Sequence, residues 1–250
     1  MGGRLSIHGT PVDEFGRGKR RTLREIIRAF SAAATEFGTR DGVTEADYLD
    51  LLRDPSHTVD GAALGQRPAS FAEQYLVHPL LEVLGYDYVT DAAVRFEPVA
   101  DPGPPTFADF RITNTTYTRR DRLTGAPWRD DDGDEYSPEV VGQTAGPNAY
   151  DDAKAAIGEK YVHPFLQVDV GIATDGFDWG VYVGVPGAET WEEFSLREFA
   201  TKVAAHVCEV PVAPEEYADA DDRLVDFLEV LHKPNLERAL LQRDAGVVWG

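Results

Sequence analysis

Cysteine is almost absent from this chain: Cys208 is the only one in 250 residues. That excludes an internal disulfide and any structural zinc site built on paired thiolates. Histidine is scattered over positions 8, 57, 78, 163, 206 and 232 with no metal-ligand spacing, so each reads as structural. No run approaches the ~18 to 20 uninterrupted apolar residues of a spanning helix, and the opening MGGRLSIHGTPVDEF lacks the apolar core of a signal peptide. The expectation is a cytoplasmic protein with no membrane partner. No glycine-rich loop ends in Lys-Ser or Lys-Thr, which excludes a phosphate-cradling ATPase motif, and there are no internal repeats. The acidic run from Asp130 to Glu135 lacks the ligand spacing of a calcium loop and its closing Glu, and reads as a solvated loop.

Hydrophobic residues make up 42% of the chain and aromatics 10%, enough to build a substantial core. Its length suits one large domain, or one domain with a small appendage. The formal charge of -20 would ordinarily count against a nucleic-acid partner. Yet only 5 of the 24 basic residues are lysines, and 25 of the 44 acids are aspartates. Such usage resembles that of salt-accumulating halophilic archaea. In molar salt the Debye length falls to ~3 Å, so surface repulsion is screened and acidity carries little weight against DNA.

Apolar residues recur at helical spacing from Thr22 to Phe37, after a basic lead-in. The stretch RGKRRTLREIIR (17–28) carries six basic residues, among which Lys19, Arg20, Arg21 and Arg24 are the candidate phosphate contacts. A turn-rich connector follows from Asp54 to Pro68. Ser70-x-x-Glu73 has the form of a capping box opening a second helix, which Pro79 must kink or break and Gly85 is placed to end. Strands are expected at 86–90, 93–99, 107–112 and 139–144. A helix follows from about 149 to 163 with Asn148 as its cap. Two more strands, 168–174 and 179–185, flank the turn Asp175-Gly176, and the remainder is helical, near 195–210 and from 219 to 241 with an interruption at Pro234. The long polar stretch 113–138 has neither period and is expected to lie on the surface.

Four segments are informative together: Pro79-Leu80-Leu81-x-x-Leu84-Gly85-Tyr86 closing a helix, a strand with Asp109, the strand Val140-Val141-Gly142-Gln143-Thr144-Ala145 before a helix, and the turn Thr174-Asp175-Gly176-x-x-Trp179. In that order, over about Phe71 to Val185, the chain resembles the PD-(D/E)XK nuclease fold, and most of all the N-terminal nuclease domains of type I restriction subunits and fused restriction-modification enzymes. The resemblance implies Mg²⁺-dependent hydrolysis of DNA phosphodiesters. An Asp and a Glu on adjacent strands would hold the metal, and a Lys two residues beyond the Glu would serve the nucleophile. Residues i and i+2 of a strand share a face, which is why Glu and Lys take that spacing.

Asp109 matches the strand aspartate, and Asp109 with Gln143 forms the implied metal pair. At the positions of Glu and Lys this chain has Gln143 and Ala145. A glutamine carbonyl ligates a hard cation without charge, and alanine offers nothing to a nucleophile. Lys154, in the following helix, and Glu73, in the preceding one, are the groups that could replace them. Asp175 and Asp178 most simply serve their turn, with Gly176 supplying positive φ, and Trp179 reads as core.

The fold expected is α/β, a restriction-endonuclease-like mixed sheet flanked by helices. The expected division is a helical extension and linker (1–68), a nuclease-like core (69–190) and a C-terminal helical segment (191–250). The function expected is a DNA-binding domain of a restriction-modification or phage-defence system whose catalysis has degenerated. Two alternatives stand beside it. One is an active Mg²⁺-dependent endonuclease with relocated ligands; the other is a subunit or fragment docking a methyltransferase or motor partner, which the helical tail ending in VVWG suits.

Overall fold

The computed structural model describes residues 12–93, 107–115, 139–160, 168–183, 191–207 and 211–244. Helix α1 (Val12–Gly38) is followed by α2 (Glu45–Arg53) and the short α3 (Gly61–Leu64). Helix α4 (Pro68–Ala72) runs through a π-helical turn (Glu73–Val77) into α5 (His78–Leu84). Strands β1 (Tyr88–Ala93), β2 (Phe107–Ile112) and β3 (Glu139–Thr144) precede α6 (Tyr150–Lys160), β4 (Val168–Thr174), β5 (Asp178–Val183) and β6 (Trp191–Ser195). Helices α7 (Arg197–Val207), α8 (Ala220–Leu231) and α9 (Lys233–Asp244) complete the described residues, with a 3₁₀ turn at Pro214–Tyr217.

The strands form one six-stranded sheet in sequence order. Every neighbouring pair is antiparallel except β3 and β4, which run parallel because α6 carries the chain back between them. The apolar centres of these two strands, Val140-Val141-Gly142 and Val170-Gly171-Ile172-Ala173, explain this central placement. A strand covered on both faces has no polar face to alternate with, so it reads as almost continuously apolar. Val140 and Val170 turn to one face, and Val141 packs on the other.

The larger core lies on the first face. There Phe110, Val140, Ile172, Trp179 and Val181 of the sheet meet Ile26, Phe30 and Phe37 of α1, Leu80 and Leu84 of α5, and Phe199 and Phe227 of α7 and α8. Each such side chain, once fully buried, contributes roughly 1.5–3 kcal/mol. Residues from all three expected segments share this core. On the other face α6 covers a smaller cluster of Val141, Ala145, Ala153, Ile157 and Ala173. It rides close because β4 and β5 offer glycine beneath it. A Cβ on Gly171 would lie 2.6 Å from Ile157 Cγ2, and one on Gly180 would lie 2.1 Å from the Tyr150 hydroxyl.

Several local expectations change. The capping box at Ser70 does not form: the helix starts earlier, with Pro68 at its first turn and Arg67 at the cap position without a side-chain bond. Proline tolerates that position because the missing N–H would have no partner there. Pro79 does not break the helix. The π-turn ahead of it, in which the His78 N–H donates to the Glu73 carbonyl, absorbs the change of spacing. Asn148 is not the cap of α6, since its side-chain amide donates to backbone carbonyls of another segment. Helix α2 and strand β6 are additional elements. The former carries a true capping box, in which the Thr44 hydroxyl accepts from the Asp47 N–H and the Asp47 carboxylate from the Thr44 N–H. Gly85 ends α5 in the left-handed region as expected, at φ 92°. Most of the strand expected at 93–99, the polar stretch 116–138, with its run from Asp130 to Glu135, and Cys208 lie outside the described residues.

Candidate functional site

Asp109 in β2 and Gln143 in β3 come together. The register Phe110↔Gly142 and Arg111↔Val141, continued by one pair, sets them side by side. One carboxylate oxygen of Asp109, Oδ2, accepts from Gln143 Nε2 at 2.5 Å and from the Thr144 backbone N–H at 2.7 Å. Both residues are half-buried. Gln143 Oε1 and Thr144 Oγ1 are buried and have no hydrogen-bond partner among the described residues.

Two further carboxyls stand near this pair. The β1–β2 register places Asp91 opposite Asp109, between Thr90↔Phe110 and Ala92↔Ala108. Asp91 takes positive φ, 49°, a backbone state uncommon outside glycine, asparagine and aspartate. Glu73 opens the π-turn and is released from the capping role expected of it. Its carboxyl titrates above the usual range, first because it is partly buried and then because the Asp109 charge repels its own; Arg67 opposes the shift and Asp91 adds to it. Among the described residues, no three or more of His, Cys, Asp and Glu are arranged to hold a metal ion.

Lys154 lies elsewhere. Its ammonium donates to Glu193 of β6 at 2.7 Å and sits over the Trp191 ring, 5.4 Å from its centroid. At about 4.8 Å per strand, β6 is roughly 19 Å across the sheet from β2, so in this arrangement Lys154 is not beside Asp109, where the resemblance would want a lysine. Ala145 also differs from a catalytic position. It is 8% exposed, packs in the small cluster under α6, and donates its N–H to the Thr174 carbonyl, tying β3 to β4 beyond the ladder. Of the basic lead-in, Arg21 and Arg24 stand exposed on α1; the side chains of Lys19 and Arg20 lie outside the described residues.

The segment Thr174-Asp175-Gly176 is a structural joint. Asp175 is fully buried and accepts from the N–H groups of Phe177 and Asp178 through Oδ1, and from the Asn148 N–H through Oδ2. Arg197 spans it, with Nη2 3.2 Å from Asp175, a 2.7 Å bond to Asp178, and Nη1 donating to the Leu51 carbonyl. Asn148, itself at φ 66°, donates from its amide to the carbonyls of Leu51, Asp54 and His57. Those of Leu51 and Asp54 end α2, where carbonyls have no partner within the helix. Burial and the Asp178 charge push the Asp175 carboxyl up to about 6, against the pull of Arg197 and the turn amides. Gly176 is required twice over, by φ 94° and by Leu76, whose Cδ1 would lie 2.6 Å from a Cβ. Trp179 is buried in the core and donates to the Gly176 carbonyl.

Asn148 and Arg197 are the residues that reading along the chain misses. The Asn148 amide donates to carbonyls 91 to 97 positions away, and Arg197 reaches Asp178 and Asp175, 19 and 22 positions away, and Leu51, 146 away; no spacing rule reaches that far. No protein-family model, curated protein or solved structure matches this chain.

Proposed function

We propose that this chain is a restriction-endonuclease-like DNA-binding domain of a restriction-modification or phage-defence system, and that its cleavage chemistry has degenerated. The observation that carries the reading is the Asp109–Gln143 pair on adjacent strands, with an amide where the fold would need a second acid. Its surroundings support it. The strand bearing Gln143 leads through α6 into a parallel partner, and the turn Thr174-Asp175-Gly176 closes that partner at the same end of the sheet. Neither replacement candidate supplies the lost lysine, since Lys154 is held at β6.

DNA contact is assigned to the basic part of α1, through Arg21 and Arg24 together with Lys19 and Arg20. Phosphate contacts of this kind fix a protein on the duplex without reading its sequence. The test is fluorescence anisotropy with a duplex over a series of KCl concentrations, beside plasmid cleavage with Mg²⁺ or Mn²⁺. Binding without cleavage is expected. Arg21→Glu with Arg24→Glu should weaken binding to all sequences alike and flatten the dependence of log K on log salt by about 0.9 per lost phosphate contact.

The proximity of Glu73 to Asp109 favours a second reading, an active enzyme with Asp109 and Glu73 as its acids. Cleavage by the unaltered protein that disappears in both Asp109→Ala and Glu73→Gln would establish it and overturn the first. Co-purification with a methyltransferase or motor protein, with no DNA affinity of the chain alone, would favour a docking subunit instead.

A further inference from the structure

A PD-(D/E)XK site implies a divalent cation between the acids of its two strands, and the donors found here do not fit one. We infer that the Gln143 side-chain amide takes the place of that cation at Asp109 Oδ2, so that this carboxylate oxygen is neutralised by hydrogen bonds within the β2–β3 pair and the pair holds no metal, while Gln143 Oε1 stays buried and turned away from Asp109. This rests on the reading above for the identity of the site.

The chemistry of the two side chains carries the inference. An ionised carboxylate only accepts, and an amide has one donating and one accepting end. Asp109 Oδ2 meets Gln143 Nε2 at 2.5 Å and the Thr144 N–H at 2.7 Å, so two donors already converge on the oxygen. Turning the amide over would set Oε1 against Oδ2, two acceptors at hydrogen-bond distance with no proton between them. Asp109 therefore imposes the orientation. A cation shared by the two residues would demand the opposite one, with Oε1 toward the ion. Binding it breaks the Asp109–Gln143 hydrogen bond and gains only an uncharged ligand, whereas Mg²⁺, which gives up its water reluctantly, is held through carboxylate charge. Glu73 does not restore the set, since no three acids among the described residues are arranged for a metal. Asp109 becomes a tie between β2 and β3, bridging the two strands by a side chain as well as by their ladder.

The test is Mn²⁺ binding to the full chain in about 2 M KCl, where nonspecific attraction to the acidic surface is screened, with free Mn²⁺ followed by electron paramagnetic resonance. Wild type and Asp109→Asn should bind the same amount of Mn²⁺. Gln143→Glu should gain one site, about tenfold or more tighter than any background, which the double variant Gln143→Glu, Asp109→Asn loses again. An Asp109-dependent site in the wild type would overturn the inference. So would a folded Gln143→Glu protein that gains no site, since something other than the amide would then bar the cation. Should Gln143→Glu not fold, the side-chain NH₂ resonances of Gln143 in the wild type decide: they should not move with excess Mg²⁺, and a Mg²⁺-dependent shift overturns the inference. DNA affinity in EDTA is measured separately. Its absence would count against the DNA-binding reading and leave the Mn²⁺ result standing.

Discussion

Replacing Arg197 by methionine should be among the most damaging single changes that leave the Asp109 site untouched. The guanidinium is 12% exposed and makes three contacts, to Asp178 at 2.7 Å, to Asp175 at 3.2 Å and to the Leu51 carbonyl at 3.1 Å. Methionine keeps much of the apolar stem but leaves Asp175, which is 0% exposed, without its counter-charge. Removing one partner of a buried pair typically costs ~3–5 kcal/mol, because the other charge remains in a poor solvent. In a chain of this size each kcal/mol lowers Tm by about 2–4 °C, so a fall of roughly 6–20 °C is expected. The pH dependence gives a second, independent sign. Arg197 lowers the Asp175 pKa, so its loss must raise that value above the present figure of about 6. Near pH 5 the carboxyl of the variant is then neutral in the folded state, and the deficit relative to wild type should shrink. The assay is thermal and urea unfolding of both proteins at fixed KCl, at pH 5 and pH 7.5. A loss below about 1 kcal/mol, or a deficit that grows on acidification, would refute the assignment of Arg197 as the counter-ion of a buried carboxylate.

Glu73→Gln should stabilise the fold at neutral pH and not at pH 4. The folded-state pKa of Glu73 is raised, so the folded protein holds that proton more tightly than the unfolded chain does, and ionisation above the ordinary glutamate range costs stability that the amide avoids; unfolding curves against pH would show it, and an equal effect at both pH values would contradict it. Ala145→Lys, which would supply the lysine that the nuclease resemblance implies, should destabilise by about 1–3 kcal/mol, because position 145 is packed beneath α6. Urea titration tests this, and an unchanged midpoint would show that the position opens to solvent. Lys154→Ala should cost less than about 1 kcal/mol, as expected for a pair whose members are 33% and 50% exposed, and should leave DNA affinity unchanged; a loss of affinity measured by anisotropy would return Lys154 to the site.

What the sequence determined by itself is what short-range chemistry determines. The 3.6-residue spacing marks α1, a glycine after the last apolar residue marks the end of α5, and the Asp-Gly pair marks the β4–β5 turn, because each depends on atoms within a few residues. The mixed α/β class follows from the order of those elements, with β3 and β4 parallel across α6. Asp109 and Gln143 could be named in advance because resemblance to a fold supplies a pairing across 34 positions that no local rule contains. The tertiary structure decided the rest. Ser70-x-x-Glu73 has the form of a capping box, yet the helix is better started two residues earlier by a proline, and Glu73 is left to meet Asp109. Asn148 stands one residue ahead of the cap position of α6, and its amide finds three distant carbonyls, at the end of α2 and just beyond it. Lys154 is correctly placed on α6, and the packing of that helix over the sheet hands its charge to Glu193. A polar side chain in a folded protein is assigned by whichever partner packing brings within 3 Å, and packing is a property of the whole chain.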